Sequence, residues 1–267
     1  MALLAICIVA SLPVFTLIAV FFVPEPKEYS CQRVSFRSGL GHMLGNRPFV
    51  RFASAFLLNG LANGIAASLF LLYCSERLEL SELRGPSLLT YFLAGIVGIP
   101  FWNWLSRRSS RHHAWCVAMV FAILVFSPAP FLPVGSTLGF GVICFLSGLA
   151  VGADLALPPA IQADVIDVDT AISGEQRSGT YFAVWSLVTK LALALAVGLA
   201  FPLLGYFGFD PSPGATSTAS GIALLGFVYG WGPILFKLPA ILLMRDFPLD
   251  RETVARNRAT IEANSSS

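Results

Sequence analysis

Residues Ala153–Lys190 read ADLALPPAIQADVIDVDTAISGEQRSGTYFAVWSLVTK. The stretch places an acid, Asp154, and a Pro158–Pro159 break inside one apolar segment. A polar turn with Asp164, Asp167, Asp169, Glu175 and Arg177 follows, and then a second apolar segment that holds Lys190. Charges within membrane-spanning segments are expensive and are seldom kept without a task, so this stretch is where function is expected.

Composition sets the surroundings. Of 267 residues, 56% are hydrophobic and 12% charged, about half the charge of an ordinary soluble domain. The chain therefore reads as an all-α integral membrane protein with the lipid bilayer as its solvent. Cys7, Cys31, Cys74, Cys116 and Cys144 show no metal-ligand spacing and read as packing residues. No nucleotide-binding loop, metal constellation or nucleophile–base pattern is present, so catalysis, a cofactor and a nucleic-acid partner are not expected.

Outward from the opening stretch, seven apolar runs are long enough to cross a bilayer at ~20 residues each. They are Ala2–Val23, about Phe49–Cys74, Pro86–Leu105, Ala114–Val134, Thr137–Ile161, Ser178–Phe209 and Ala219–Met244. The first lacks the basic flank of a signal peptide and reads as a retained span. The segments after the first and third runs and the C-terminal tail hold Lys27, Arg33, Arg37 and Arg47, then Arg107, Arg108 and Arg111, then Arg245, Arg251, Arg256 and Arg258. Basic residues mark the cytoplasmic side, which predicts an N-terminus outside and a C-terminus inside. An outward N-terminus with no flanking charge is a weak way to begin, so a preceding segment is expected. The pairs Gly60/Gly64, Gly135/Gly139, Gly148/Gly152 and Gly226/Gly230 carry the small-residue spacing of closely packed membrane helices.

Several residues are candidates for chemistry. Lys190 lies ~20 Å along its helix from Arg177, beyond easy snorkelling, so it needs a partner or a cavity, or a helix-end carbonyl to hold it. Asp154 lies ~15 Å before Asp164 and reaches a similar depth. The two either pair directly or line one aqueous path, and Asp154 is either a proton-exchanging group or the neutraliser of Lys190. Asn59 and Asn63 share a helix face beside Gly60 and Gly64, as the wall of a polar cavity or as interhelical glue. Trp185 and Ser186 can add an aromatic platform and a hydroxyl to the same cavity, or pack. Lys237 is expected to snorkel back to the cytoplasmic edge. Asp164 and Asp167 share a face able to clamp basic residues of another element, while Asp169 and Glu175 read as a solvated turn.

Three motifs carry a family resemblance. GADLALPPAIQADVIDVDTAISGEQRSGTYFAVWSLVTKLALALAVGLAFPLLGYFGF (Gly152–Phe209) resembles the tenth and eleventh helices of the glycoside-pentoside-hexuronide:cation symporters, the major facilitator branch that includes melibiose permease. Ala163, Asp164 and Asp167 match its Ala-Asp-x-x-Asp-Tyr signature, Val168 stands where Tyr is usual, and Lys190 falls at the family spacing. NRPFVRFASAFLLNGLANGIAASLFLLYC (Asn46–Cys74) resembles the seventh helix. PFWNWLSRRSSRHHAW (Pro100–Trp115) is similar to the Gly-x-x-x-Asp-Arg-x-Gly-Arg-Arg loop between the eighth and ninth, with Ser110 where Gly is usual.

The resemblance implies that residues 1–23 are family helix 6, residues 24–48 a cytoplasmic inter-half loop, residues 49–245 the C-terminal six-helix half and residues 246–267 a cytoplasmic tail. It implies sugar symport with H+ or Na+ in a plasma (inner) membrane, by alternating access between two halves. It assigns Lys190, with Trp185 and Ser186, to the cavity wall beside Asp154, Asn59 and Asn63, and it puts Asp164, Asp167, Arg177, Arg107 and Arg108 at a cytoplasmic gate. Five helices of the family pattern are missing, so the chain is expected to be truncated and inactive alone. The alternative is a non-transporting half that docks on a separate N-terminal half or another membrane partner.

Overall fold

The computed structural model of the chain describes residues 2–22, 41, 43–173, 177–212 and 216–265. Glu175 and the Lys27, Arg33 and Arg37 segment lie outside the described residues. Compact packing divides the chain into residues 1–35 and 36–267. In the first, α1 (Ala2–Phe22) is a helix without a charge, its hydroxyls being those of Ser11 and Thr16. The second holds α2 (Arg47–Leu72), α3 (Arg84–Arg108), α4 (Arg111–Phe126), α5 (Thr137–Ser173), α6 (Ser178–Tyr206), α7 (Ala219–Met244) and α8 (Arg251–Ser265). Among the described residues, α2 to α7 are the six helices long and apolar enough to cross a membrane.

Local chemistry starts these helices where the sequence says it should. Asn46 caps α2 by accepting from the Phe49 N–H at 3.2 Å, and Ser110 caps α4 by accepting from the His113 N–H at 3.3 Å. Thr218 does the same for α7 through the Gly221 N–H. Each satisfies a donor that a helix N-terminus leaves orphaned.

Two expectations change. The Pro158–Pro159 pair does not break the fifth run. Helix α5 continues for 37 residues, ~55 Å against a hydrocarbon core of ~30 Å, so Asp164, Asp167 and Asp169 sit on a helix that outruns the apolar layer. The prolines remove the donors that would reach the carbonyls of Asp154 and Leu155. The polar tail is not featureless either, because α8 forms with Asp250 accepting from the Thr253 N–H at 2.8 Å.

Small residues set the helix pairs. On α3 and α5, Gly95 and Gly98 meet Gly148, Leu149 and Gly152, and a Cβ on Gly152 would stand 2.5 Å from the Gly95 carbonyl. Between α2 and α6, Gly64 leaves only 2.7 Å to the Ala196 Cβ for an added methyl. Gly230 packs on Pro130. The Gly135/Gly139 pair is not a helix face. Gly135 has φ +75°, a left-handed turn that favours glycine, and its N–H donates to the Leu78 carbonyl at 2.9 Å.

These pairings leave two apolar cores along the bundle. One gathers Phe52, Trp115, Leu157, Tyr181 and Met244 toward the arginine-rich ends of the helices. The other gathers Leu69, Tyr73, Phe140, Leu204 and Tyr229 toward the opposite ends. On α2, α5 and α7 the first core stops and the second begins around Asn59, Asp154 and Lys237.

Candidate functional site

At that junction four helices meet through polar side chains. Asn59 and Asn63, one turn apart on α2, present the same two-ended amide to α5 and α7. Their Nδ2 groups donate to the Asp154 carboxylate, Asn59 to Oδ1 at 2.9 Å and Asn63 to Oδ2 at 2.8 Å. Their Oδ1 atoms accept from the Lys237 ammonium at 2.6 Å and 2.8 Å. Trp115 on α4 adds a third donor to Asp154 Oδ1 at 2.7 Å. Both amides are oriented by charge, with N–H toward the carboxylate and carbonyl toward the ammonium.

Burial makes the arrangement consequential. Lys237 is 2% exposed and Asn59 1%. An isolated ammonium at that depth would be strongly disfavoured, and the two carbonyls with a carboxylate behind them compensate it. Beside the cluster a cavity of about 20 Å³ is lined by Asn63, Tyr91, Ser147, Asp154 and Lys237. That is room for about one water-sized occupant among polar partners.

The charge partner of Asp154 is therefore not the lysine expected from sequence. Lys237 does not snorkel; it turns inward from α7 to the asparagines. Lys190 is exposed on α6, whose buried stripe runs Ala192, Ala196, Ala200 and Leu204. Two positions before Ala192, Lys190 stands ~200° around the helix from that stripe. Ser186 is also exposed. Trp185 is half-buried and stacks on Phe56 at 3.8 Å and on Phe52 at 5.4 Å between ring centroids.

A second charged region lies at the arginine-rich ends. Asp164 pairs with Arg111 at the start of α4, as its helix face predicted, and the same guanidinium reaches the Ala160 carbonyl at 3.3 Å. Asp169 is no idle turn residue. It pairs at 3.3 Å with Arg177, which is 8% exposed, because α5 continues far enough to bring its carboxylate back over the first residue of the next segment. Asp167 is half-buried. Arg108 stacks over the Trp104 ring at 4.6 Å, while Arg107 is exposed at the wall of a larger cavity. Asn46 links helices here, donating to the Tyr181 hydroxyl at 3.0 Å. Arg51 caps the C-terminal end of α7 through the carbonyls of Leu243 and Asp246.

The profile of the MFS/sugar transport protein family matches residues 1–251, nearly the whole chain. The chain belongs to that family. Similar proteins include the sodium-dependent lysophosphatidylcholine symporter 1 of Mus musculus, 26% identical over 98% of this chain and 50% of the relative. The sphingosine-1-phosphate transporter MFSD2B of Xenopus tropicalis is 23% identical over 82% of this chain and 43% of its own. An uncharacterized symporter of Synechocystis is 22% identical over 82% of this chain and 41% of its own. The chain spans about half the length of the curated relatives it matches, or somewhat less. Membership makes it an integral, multi-pass membrane protein of a transporter family. It does not single out the melibiose permease branch that the motifs resemble.

Within this MFS/sugar transport chain, sequence reasoning found Asp154, Asn59 and Asn63 and missed what completes them. Trp115 gave no signal apart from its place after a basic cluster. Lys237 did give one: Gly226, Gly230, Pro233, Lys237, Ala240 and Met244 form one buried face of α7. The small-residue spacing of Gly226 and Gly230 leads along that face directly to the lysine.

Proposed function

We propose that this chain is the sixth helix and the C-terminal six-helix half of a cation-coupled symporter that works by alternating access against a second half. The observation that carries the proposal is the Asp154–Asn59/Asn63–Lys237 cluster. It is a carboxylate and an ammonium joined by two amides midway along a bundle of membrane-spanning helices. Such a bridge has two arrangements. With α7 seated against α2, the amides hold the carboxylate's oxygens. With α7 displaced, Lys237 leaves the amides, the carboxylate loses its compensating charge, and a proton or Na+ takes that place. The arginine-rich ends face the cytoplasm by the distribution of basic residues, residues 24–48 join the halves, and Arg111–Asp164 and Asp169–Arg177 close that side together with Asp167, Arg107 and Arg108.

The substrate class we favour is an amphiphile with a polar head and an apolar tail. Two relatives are named for lysophosphatidylcholine and sphingosine-1-phosphate. The Trp185 ring is engaged by Phe56 and Phe52, so it makes a poor platform for a sugar. The sugar reading is kept by the family description and by Lys190 and Ser186, which stand exposed on α6 for a cavity shared with the other half.

The test is uptake of labelled lysolipids and of glycosides, pentoses and uronic acids by vesicles that hold this chain together with the five helices that complete the first half, under imposed H+ or Na+ gradients. Uptake that needs one of the gradients and is lost in Asp154→Asn and Lys237→Gln is expected. Uptake indifferent to both substitutions would remove the cluster from the transport cycle. Accumulation by vesicles with this chain alone would overturn the two-half mechanism.

A further inference from the structure

A cavity of about 550 Å³ opens between the end of α3, the start of α4, the middle of α5 and the start of α8. It is a separate place from the small cavity at the cluster, with which it shares no lining residue. We propose that it binds an anion bearing a phosphate group, held between Arg107 and Arg251.

The charge inventory of the wall leads there. It carries Arg107, Arg111, Arg251, Asp164 and Asp250. Asp164 is matched by Arg111. Asp250 is committed to the first turn of α8, where it accepts from the Thr253 N–H. What remains are the guanidinium groups of Arg107 and Arg251, both exposed and neither in an ion pair among the described residues. They come from different elements and converge on one concavity, and the forked guanidinium group suits a tetrahedral oxyanion. The start of α8 also turns its positive helix end toward this wall, adding to the field without being the site by itself.

Size and level narrow the ligand. The volume lies within the usual range for small-molecule pockets and exceeds what a bare phosphate fills, so a phosphate with its ester substituent fits. The cavity sits where α3 ends and α4 begins, at the boundary between apolar span and basic flank. That is the level at which lipid headgroups meet basic side chains. A lipid headgroup and a soluble phosphate ester share the recognised chemistry, and experiment separates them.

The purified full chain in neutral detergent is melted with and without dioctanoyl phosphatidic acid, sn-glycerol 3-phosphate or inorganic phosphate. A ligand of the folded state raises the melting temperature by an amount that grows with the logarithm of its concentration over its Kd. A shift from the phosphatidic acid alone supports the site and assigns it to membrane lipid; a shift from the soluble anions as well supports it and assigns it to phosphate itself. Arg107→Gln with Arg251→Gln is expected to weaken either by about tenfold or more, the double Lys replacement to weaken it less, since it keeps the charge but loses the fork, and Arg84→Gln, at the far end of α3, to bind as the parent does. Equal shifts in the double Gln variant and the parent, or no shift with any of the three anions, overturn the proposal.

Discussion

The two charged regions of this bundle solve one problem in opposite ways. At the arginine-rich ends, Arg111 meets Asp164 and Arg177 meets Asp169 side chain to side chain. At the junction of the two cores, Lys237 and Asp154 sit in one cluster, and Asn59 and Asn63 carry the interaction between them. A direct pair joins charge and hydrogen bond in one contact between two side chains, and it is screened wherever water reaches it. A bridged pair is held by four oriented hydrogen bonds, two from α2 to α5 and two from α7 to α2, so a shift of α7 breaks the second two together and leaves the first two in place. The ends are joined pair by pair, and the middle is joined through a shared pair of amides.

The sharpest way to break the contrast is to remove one member of the bridged cluster. Asp154→Asn strands the buried Lys237 ammonium and is expected to cost about 3–5 kcal/mol, while Lys237→Met strands the half-buried Asp154 carboxylate and is expected to cost less, about 1–3 kcal/mol. The double variant is expected to recover most of that loss, as a neutral network of the same shape. Thermal melting of the three variants in detergent checks this; additive losses in the double variant would mean that the two charges do not sense one another through the amides.

A smaller effect belongs to the ends. Asp164→Asn is expected to cost about 1–3 kcal/mol, since the Arg111 guanidinium keeps the Ala160 carbonyl and is partly solvated. High salt is expected to shrink the difference between Asp164→Asn and the parent, but not between Lys237→Met and the parent. Melts across a salt series separate the two regions, and equal salt sensitivity at both would erase the distinction.

The smallest effect is at α8. Bonds from Thr253 to the Asp250 carboxylate hold its pKa below the usual carboxylate value. A group depressed in the folded state contributes stability above its unfolded pKa and loses it as pH falls through the folded one. Acidification is therefore expected to fray α8 before α2 to α7, seen as early hydrogen exchange in Arg251–Ala259. Asp250→Ala is expected to show that fraying already at neutral pH.

The spans were readable because lipid demands long apolar helices, and Ala219–Met244 runs as read from sequence. The end of α5 was not. Pro158–Pro159 and three aspartates look like a break and a turn, yet the backbone stays helical, with Arg111 drawn onto Asp164 and the Ala160 carbonyl. Choosing between Lys190 and Lys237 failed for a different reason. In a membrane the outward face is as apolar as the core, so hydrophobic periodicity does not mark the inward side. Small residues do: the Ala192–Ala196–Ala200 stripe turns Lys190 outward, and the Gly226–Gly230–Pro233 stripe turns Lys237 inward.

The glycine seam between α3 and α5 has a mechanical meaning. Where Gly98 and Gly152 meet the facing backbone of Leu149 and Gly95, backbone touches backbone, and the side chains beside them, Ala94 and Val151, are small and stiff. The two helices form a single double-thickness strut. Asp154 is bolted to the same strut that ends in Arg107 and Arg108, so whatever tilts the carboxylate carries the basic rim with it.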